Sequence, residues 1–207
     1  MKTVIRFESL PSTNAKALEL AKEGTRETAI AADVQTAGRG RMGRSFCSPE
    51  GGLYMSVLTS RLTPGAAVLA LTPAAALAVR SAVLRVFGLS CAVKYPNDLI
   101  LDGKKVCGIL CESISLADRF SVVIGVGVNV NSDIVLNEEQ APGEYPPASL
   151  NAFCEKAEDP AAIAQLQQAV LEELQTLIDS FAAGGTLDEA AYRSVCLNCP
   201  DVIVPYE

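Results

Sequence analysis

Two neighbouring apolar runs constrain the fold of this chain more than any other part of its sequence. Residues 106–113 and 120–130 are rich in valine and isoleucine, and a polar turn around Asp118 separates them. β-Branched residues favour strands, and two such runs joined by a short turn are typical of an antiparallel pair. The pair is predicted to lie in the middle of a sheet, so the rest of the chain must flank and cover it.

Shorter patterns along the chain predict the flanking strands and the covering helices. Thr72-Pro73 before an apolar run and Gly88 after it are typical of the two ends of a helix. Strands are predicted over residues 3–7, 28–34, 53–59 and 92–94, and helices over 15–22, 72–87, 160–184 and 188–196. Residues 131–149 are predicted to be a long loop, and 201–207 an extended stub. This order favours an α+β fold in which one mixed β-sheet is backed by helices.

The composition is that of a globular domain with a substantial core. Of the 207 residues, 49% are apolar and 20% are charged. The net charge of −7 makes nucleic acid and anionic membranes unfavourable partners for the surface as a whole. No segment has the pattern of a signal peptide or the roughly 18 apolar residues of a membrane span. We therefore expect a cytoplasmic protein without a nucleic-acid or membrane partner.

The chain has seven cysteines and no histidine, which limits its metal and acid–base chemistry. An odd number of irregularly spaced cysteines without an export signal predicts reduced thiols rather than disulfides. Cys196-Leu-Asn-Cys199 has the spacing of half a zinc site, but a second such pair and histidine ligands are both missing. We expect no protein-bound metal, and any catalysis must use carboxylates, lysine or positioning alone.

Residues 38–44, which read Gly-Arg-Gly-Arg-Met-Gly-Arg, carry the strongest chemical signal. Glycine lets the backbone approach a ligand closely, and arginine supplies planar donor forks that match phosphate and carboxylate groups. Such a loop suits the attack of an anionic acid on the α-phosphate of a nucleotide, because fixed cations offset the repulsion between the two anions.

The alternative for this segment is a disordered arginine-rich loop that binds nothing or binds RNA. A predicted buried strand directly precedes the loop, and the rest of the chain is acidic and poor in aromatic residues. Both features favour a loop held at a binding site. The loop is not a P-loop, because the Gly-Lys-Ser/Thr ending is missing.

Two lysines and two glycines are further candidates for the same site. Lys94 ends a predicted strand and Lys105 begins the next, so both could face one pocket, although a solvated hairpin explains either one alone. Asp98 between them has an alternative role as a turn residue. Gly125 and Gly127 interrupt an apolar strand, which indicates either close approach of a ligand or tight packing against a helix.

Together these segments resemble the catalytic domain of biotin protein ligases. The resemblance covers residues 8–131 and continues less clearly to about residue 196. The matching segments are Ser12-Thr13-Asn14, Gln35 with residues 38–44, Ser48 with residues 51–54, and residues 94–99, 103–110 and 125–129. The implied fold is similar to class II aminoacyl-tRNA synthetases. The resemblance also implies a catalytic domain over residues 1–199, no N-terminal DNA-binding domain, and a stub at 200–207 where a C-terminal β-barrel would begin.

The resemblance assigns roles to the candidate residues. The implied biotin contacts are Ser12, Thr13, Asn14, Gln35, Arg39, Gly40, Arg41, Lys105, Gly108, Gly125 and Gly127. The implied nucleotide contacts are Arg41, Arg44, Lys94, Asn97 and Asn129. Lys105 and Arg41 would serve adenylation, and Asp98 would orient or deprotonate the acceptor lysine. Phe46 and Tyr95 stand where family members often carry tryptophan.

The implied reaction is an ATP-dependent ligation. It forms biotinyl-5′-AMP and transfers biotin to a specific lysine of a biotin carboxyl carrier protein, with biotin and ATP as substrates, Mg²⁺ as cofactor, and a homodimer allowed. Two rival functions stay open: a lipoate or octanoate ligase of the same fold, and a non-catalytic binding module, including a nucleic-acid binder.

Overall fold

One mixed sheet of seven strands organises the described part of the protein. The computed structural model of the chain describes residues 4–65, 68, 70–135 and 144–203. Its strands are β1 (Val4–Leu10), β2 (Glu27–Gln35), β3 (Gly52–Thr59), β4 (Ala92–Lys94), β5 (Asp98–Leu101), β6 (Lys104–Ser115) and β7 (Phe120–Asn129). The α-helices among these residues are α1 (Thr13–Lys22), α2 (Leu71–Phe87), α3 (Ala162–Ala182) and α4 (Glu189–Val195).

The strand order across the sheet is β1-β2-β3-β7-β6-β5-β4. β1 and β2 are parallel, and every other neighbouring pair is antiparallel. The two apolar runs form the antiparallel pair β6–β7, with Leu110 opposite Gly125 and Ser115 opposite Phe120. β3 and β7 lie in the interior of the sheet and are buried along almost their whole length. The predicted α+β fold with one mixed sheet is confirmed.

The short strand β5 was not predicted from the sequence. We expected the strands that carry Lys94 and Lys105 to be neighbours, but β5 lies between β4 and β6. β5 has four residues, too few for a visible alternation, and turn residues enclose it on both sides. On its C-terminal side, Asp102 and Gly103 adopt φ values of 46° and 72°. Positive φ at two successive residues is what a tight two-residue hairpin requires.

The two faces of the sheet are covered unequally. Helices α2 and α3 cover one face and bury the main core, which includes Val79, Leu166 and Leu174. On the other face, the short helix α1 buries a small cluster of Ala17, Ala21, Ile30, Leu58 and Val123. A helix of 10 residues is only about 15 Å long. Part of the second face is therefore left uncovered by α1.

Side-chain alternation decides which residues reach that second face. Successive residues of a strand point to opposite sides, so residues two apart share a side. Val123 of β7 packs against α1, which places Gly125 and Gly127 on the same face. Gly108 lies opposite Gly127, so alternate residues of β6 from Gly108 onward also point towards α1. The site is built on this face.

The predicted signals hold at the start of α1 and the end of α2, whereas α2 begins at Leu71, and Thr72, the predicted cap, lies within the helix. The Ser12 side chain accepts a hydrogen bond from the backbone N–H of Ala15 at 3.4 Å and caps α1. α2 ends at Gly88, whose φ of 72° is the left-handed conformation that glycine adopts at low cost.

Parts of two predicted irregular segments lie outside the described residues, namely 136–143 of the long loop and 204–207 of the stub. No helix in the described ranges combines the length and apolar character needed to cross a membrane.

Candidate active site

A cavity of about 670 Å³ opens on the face of the sheet next to α1. It brings together every candidate residue identified from the sequence. These are Ser12, Thr13, Asn14, Gln35, Arg39, Gly40, Arg41, Arg44, Lys94, Asn97, Asp98, Lys105, Gly108, Gly125, Gly127 and Asn129. The lining also includes residues that sequence reasoning did not select, among them Cys47, Ile134, Glu144 and Tyr145. Their side chains follow no periodic pattern, and only the folded chain brings them to the cavity.

Three glycines line the cavity on β6 and β7, and different neighbours occupy the space that a side chain would need at each. A Cβ on Gly125 would lie 2.1 Å from Oδ1 of Asn14, so this position is closed by packing against α1. A Cβ on Gly127 would lie 2.6 Å from the Phe46 ring, and one on Gly108 would lie 3.1 Å from it. Of the two alternatives at Gly125, the structure shows tight packing against a helix. At the other two positions an aromatic side chain occupies the space above the glycine.

Lys105 lies beside a carboxylate at the centre of the cavity. Its Nζ is 2.8 Å from Oδ1 of Asp98, and both side chains are largely buried. The backbone of Lys105 is held on its other side, since its N–H donates to the carbonyl of Pro146 and its carbonyl accepts from Ala148, both at 2.9 Å. The ring of Phe46 lies 5.8 Å from Nζ. A cation fixed in this way can meet an anionic ligand without first being ordered.

The arginine loop forms a small hairpin over the cavity. Arg39 and Ser45 are bridged as in an antiparallel ladder, and residues 41–43 form a single 3₁₀ turn. Two arginines reach across the cavity, one to strand β6 and one to the turn between β4 and β5. Arg39 Nη2 lies 2.8 Å from a carboxylate oxygen of Glu112, and Arg41 Nη1 donates to Oδ1 of Asn97 at 3.3 Å.

The other end of the cavity, at the start of α1, is polar but uncharged. The backbone N–H and the hydroxyl of Thr13 both donate to Oε1 of Gln35, at 2.9 and 3.2 Å. Ser56, which is fully buried on β3, places its hydroxyl 2.7 Å from Oγ1 of Thr13. Sequence reasoning missed Ser56. A serine within the apolar run of β3 was the available signal, because a buried hydroxyl requires a partner.

Two further groups lie on the β4 side of the cavity. Lys94 Nζ is 3.0 Å from Glu144 and 5.0 Å from the centre of the Tyr145 ring. The Asn129 side chain is 3% exposed, and its amide donates to the carbonyl of Ala148 at 3.1 Å. No group among the described residues donates a hydrogen bond to Oδ1 of Asn129. This oxygen is a buried acceptor that a ligand N–H can satisfy.

The cavity is cationic although the protein is acidic. Its described lining contains five arginine or lysine side chains and two carboxylates, whereas the whole chain carries a net charge of −7. A concave surface with this charge concentrates anionic ligands. The arrangement therefore suits a ligand with several negative charges at one end and a neutral polar group at the other.

Cys47 lines the cavity, whereas Cys111 packs against the main core on the other face of the sheet. All seven cysteines of the chain are free thiols. Burial raises the pKa of the Cys47 thiol, and it raises the pKa of Cys111 to about 11. A thiolate is the reactive form, so a raised pKa disfavours the reactivity of both groups. Covalent catalysis through these thiols is therefore disfavoured.

Comparison with known proteins places the chain among ligases. The model of the Biotin/lipoate A/B protein ligase family matches residues 4–129. The biotin–[acetyl-CoA-carboxylase] ligase of Paracoccus denitrificans is 35% identical over 178 residues, which cover 82% of this chain and 72% of that protein. The bifunctional ligase/repressor BirA of Bacillus subtilis is 40% identical over 154 residues, 68% of this chain and 47% of that protein. The chain thus spans about half the length of several curated relatives that it matches.

Solved structures agree with the sequence relatives. The biotin protein ligase of Leishmania major in complex with biotin has a TM-score of 0.75 and 27% identity, and the match covers 95% of this chain and 82% of that one. The biotin protein ligase of Aquifex aeolicus in complex with biotin and ATP has a TM-score of 0.68 and 26% identity, over 95% and 79% of the two chains. The chain therefore belongs to the Biotin/lipoate A/B protein ligase family.

Proposed function

We propose that this chain is the catalytic part of an ATP-dependent biotin ligase. It forms biotinyl-5′-AMP and transfers the biotinyl group to a lysine of a biotin carboxyl carrier protein. The observation that carries this proposal is the convergence of the arginine loop and Lys105 on a cavity whose other end is neutral and hydrogen-bonding. The biotin protein ligase of Aquifex aeolicus, which has a similar fold, is known in complex with biotin and ATP.

The polar end of the cavity suits the ureido ring of biotin. A ureido group has one carbonyl oxygen and two N–H donors, and it is uncharged. Thr13 and Gln35 are already oriented by their mutual hydrogen bonds at 2.9 and 3.2 Å. Lipoyl and octanoyl groups have neither the ureido carbonyl nor its N–H donors and cannot use the polar groups at this end of the cavity. The polar end therefore favours biotin over lipoate or octanoate.

The cationic end suits the triphosphate and the reacting carboxylate. An oxygen of the biotin carboxylate attacks the α-phosphorus, the bond to the bridging oxygen breaks, and pyrophosphate leaves. Lys105 lies between the polar end and the nucleotide end, where it can contact both the carboxylate and the α-phosphate. A carboxylic acid is already ionised near neutral pH, so this step requires no general base. Rate acceleration comes from positioning and charge compensation.

Magnesium enters the site with ATP as part of the substrate. No group of three acidic, histidine or cysteine side chains among the described residues could hold a metal ion. The two carboxylates of the described lining, Asp98 and Glu144, are already paired with lysines. Mg²⁺ is commonly held by substrate phosphates and water with one or two protein carboxylates. The residues present therefore fit a metal carried by the nucleotide.

The second step transfers biotin to the carrier protein. The acceptor lysine amine attacks the carbonyl carbon of the mixed anhydride, an amide bond forms, and AMP leaves with the electrons of the broken C–O bond. The attacking amine must lose a proton, and Asp98 is the carboxylate placed next to Lys105 at the reacting centre. We assign Asp98 to orient the amine and accept its proton. A homodimer and a cytoplasmic location belong to the same proposal.

Biotin-dependent exchange of pyrophosphate into ATP tests adenylation directly. The expected result is exchange with biotin and none with lipoate or octanoate. Mass spectrometry of a carrier domain after incubation with ATP and biotin then tests transfer. Exchange that depends on lipoate instead would identify the lipoate ligase, and no exchange with any acid would leave only a binding module.

A further inference from the structure

Glu112 of β6 holds two elements of the site together from outside the cavity. Its Oε2 lies 2.8 Å from Arg39 Nη2, and its Oε1 is 3.0 Å from the same nitrogen. The amide of Asn14 donates to Oε2 at 2.8 Å and also to the carbonyl of Leu110 at 3.1 Å. Glu112 does not itself line the cavity, whereas Arg39 and Asn14 do. One carboxylate thus joins the arginine loop to the first turn of α1.

The contact continues as a chain of side chains beneath the polar end. The hydroxyl of Ser56 lies 2.6 Å from Oδ1 of Asn14 and 2.7 Å from Oγ1 of Thr13. Thr13 Oγ1 donates to Oε1 of Gln35 at 3.2 Å. Glu112 is therefore connected to both residues that we assign to the ureido ring.

The hydrogen bonds then lead back to Phe46, which lies two residues after the arginine loop of residues 38–44. The amide nitrogen of Gln35 donates to Oγ of Ser48 at 2.9 Å, and the Ser48 hydroxyl donates to the carbonyl of Phe46 at 3.0 Å. One continuous hydrogen-bond network thus contacts the loop at Arg39 and contacts Phe46 just beyond its end. A ring of contacts that closes on itself orders the loop more than separate contacts would.

Glu112 gives this network its direction. A carboxylate only accepts hydrogen bonds and an arginine only donates them, whereas an asparagine amide can do either. The Asn14 nitrogen must therefore face Glu112, and its oxygen must face Ser56. The single hydroxyl proton of Ser56 lies within reach of both Oδ1 of Asn14 and Oγ1 of Thr13. Without the Glu112 carboxylate, the Asn14 amide would keep the Leu110 carbonyl as an acceptor but would lose its shorter contact, and Arg39 would lose its link to α1.

We propose that Glu112 is a positioning residue of the biotin subsite. It acts through Arg39 and Asn14 without touching the ligand, and it keeps the arginine loop and the ureido contacts in the binding arrangement. This inference rests on the proposed function. It predicts an effect on biotin affinity and on retention of biotinyl-5′-AMP, with little effect on the adenylation rate of the saturated enzyme.

The chain offers a matched control for an ordinary surface ion pair. Arg85 Nη2 on α2 lies 2.9 Å from Glu172 on α3, and both side chains are about half exposed, 48% and 52%. Arg39 and Glu112 are 43% and 26% exposed. Pairs this exposed contribute little to the free energy of unfolding. Neither Glu112→Gln nor Glu172→Gln should therefore change the unfolding midpoint much, and only the first should change ligand binding.

The experiment compares the wild type, Glu112→Gln, Glu172→Gln, Arg39→Ala and the Glu112→Gln/Arg39→Ala double variant. Calorimetry gives the biotin dissociation constant, quenched-flow gives the adenylation rate at saturating biotin and ATP, and a chase with unlabelled biotin gives the release rate of labelled biotinyl-5′-AMP.

For Glu112→Gln we expect about tenfold weaker biotin binding and about tenfold faster release, as the loss of one charge-assisted contact implies. The adenylation rate should stay within about twofold, and in the Arg39→Ala background the Glu112→Gln effect should shrink to less than about threefold.

Each outcome decides one question. A wild type that does not bind biotin would overturn the proposed function, whatever Glu112 does. A wild type that binds biotin, with Glu112→Gln indistinguishable from Glu172→Gln, would overturn the positioning role alone. A Glu112→Gln variant whose unfolding midpoint and adenylation rate both fall would also overturn it, because the residue would then be purely structural.

Discussion

Nζ of Lys105 lies 2.8 Å from Oδ1 of Asp98 across the neighbouring strands β5 and β6. The cation that we assign to adenylation is therefore already paired and oriented before any ligand is bound. Asp98 can serve both steps for this reason. In the proposed mechanism it orients Lys105 during adenylation and accepts the proton of the acceptor amine during transfer.

Replacing Lys105 with alanine should abolish biotinyl-5′-AMP formation. The variant loses the cation between the carboxylate and the α-phosphate, and losses of about a thousandfold are typical when such a charge is removed. Pyrophosphate release in a single turnover measures the effect. Lys104→Ala is the matched control, because Lys104 is exposed and its side chain points to the opposite face of β6. Pyrophosphate release from Lys105→Ala at the wild-type rate would remove the catalytic assignment.

Replacing Arg41 with glycine should weaken retention of the adenylate. Arg41 reaches from the loop to Asn97, with Nη1 3.3 Å from Oδ1, and so helps to hold the loop over the cavity. We expect release of preformed biotinyl-5′-AMP to be about tenfold faster, equivalent to about 1.4 kcal/mol. The neighbouring variant Met42→Ala should release the adenylate normally, since that side chain is 89% exposed. An unchanged release rate in Arg41→Gly would count against a closing loop.

Replacing Asp98 with asparagine should impair transfer more than adenylation. The amide keeps the shape of the side chain and a polar partner for Lys105, but it cannot accept a proton from the acceptor amine. Transfer from synthetic biotinyl-5′-AMP to a carrier domain should slow by about a hundredfold, as for loss of a general base. The remaining rate should rise with pH, because more of the acceptor amine is then already neutral. Equal losses in both steps would mean that Asp98 acts only through Lys105.

Alanine should be far more destabilising at Gly125 than at Gly127. At Gly125 the added Cβ meets Asn14, which the buried network holds in place, at 2.1 Å. At Gly127 it meets the end of the Phe46 ring, at 2.6 Å, and a flexible side chain can rotate away. We expect a loss of about 1–3 kcal/mol for Gly125→Ala and clearly less for Gly127→Ala, measured by urea denaturation. A smaller loss at Gly125 than at Gly127 would show that α1 adapts freely.

The Phe46 ring has a consequence for ligand entry. It occupies the space above Gly108 and Gly127 that the resemblance assigns to biotin. Binding in that space therefore requires the ring to move.

Residues with strong local chemistry could be identified from the sequence. The arginine loop, Lys94, Lys105 and the glycines all line one cavity, and the β6–β7 pair that carries part of the site was predicted from its valine and isoleucine content. Strand β5 was missed, because four residues between two turns show no periodicity. Glu112 was overlooked, although the alternation along β6 places it on the same face as Gly108.

Local patterns in the sequence determined the strands, the helix ends and the kinds of side chain available for chemistry, because these depend on neighbours a few residues apart. Only the tertiary structure decided which of those side chains meet. Asn14 and Glu112 are 98 residues apart in the chain, yet they share a hydrogen bond of 2.8 Å. The same folding packs the Asn14 side chain of α1 against Gly125. Such contacts depend on sheet order and helix placement, and no local pattern encodes them.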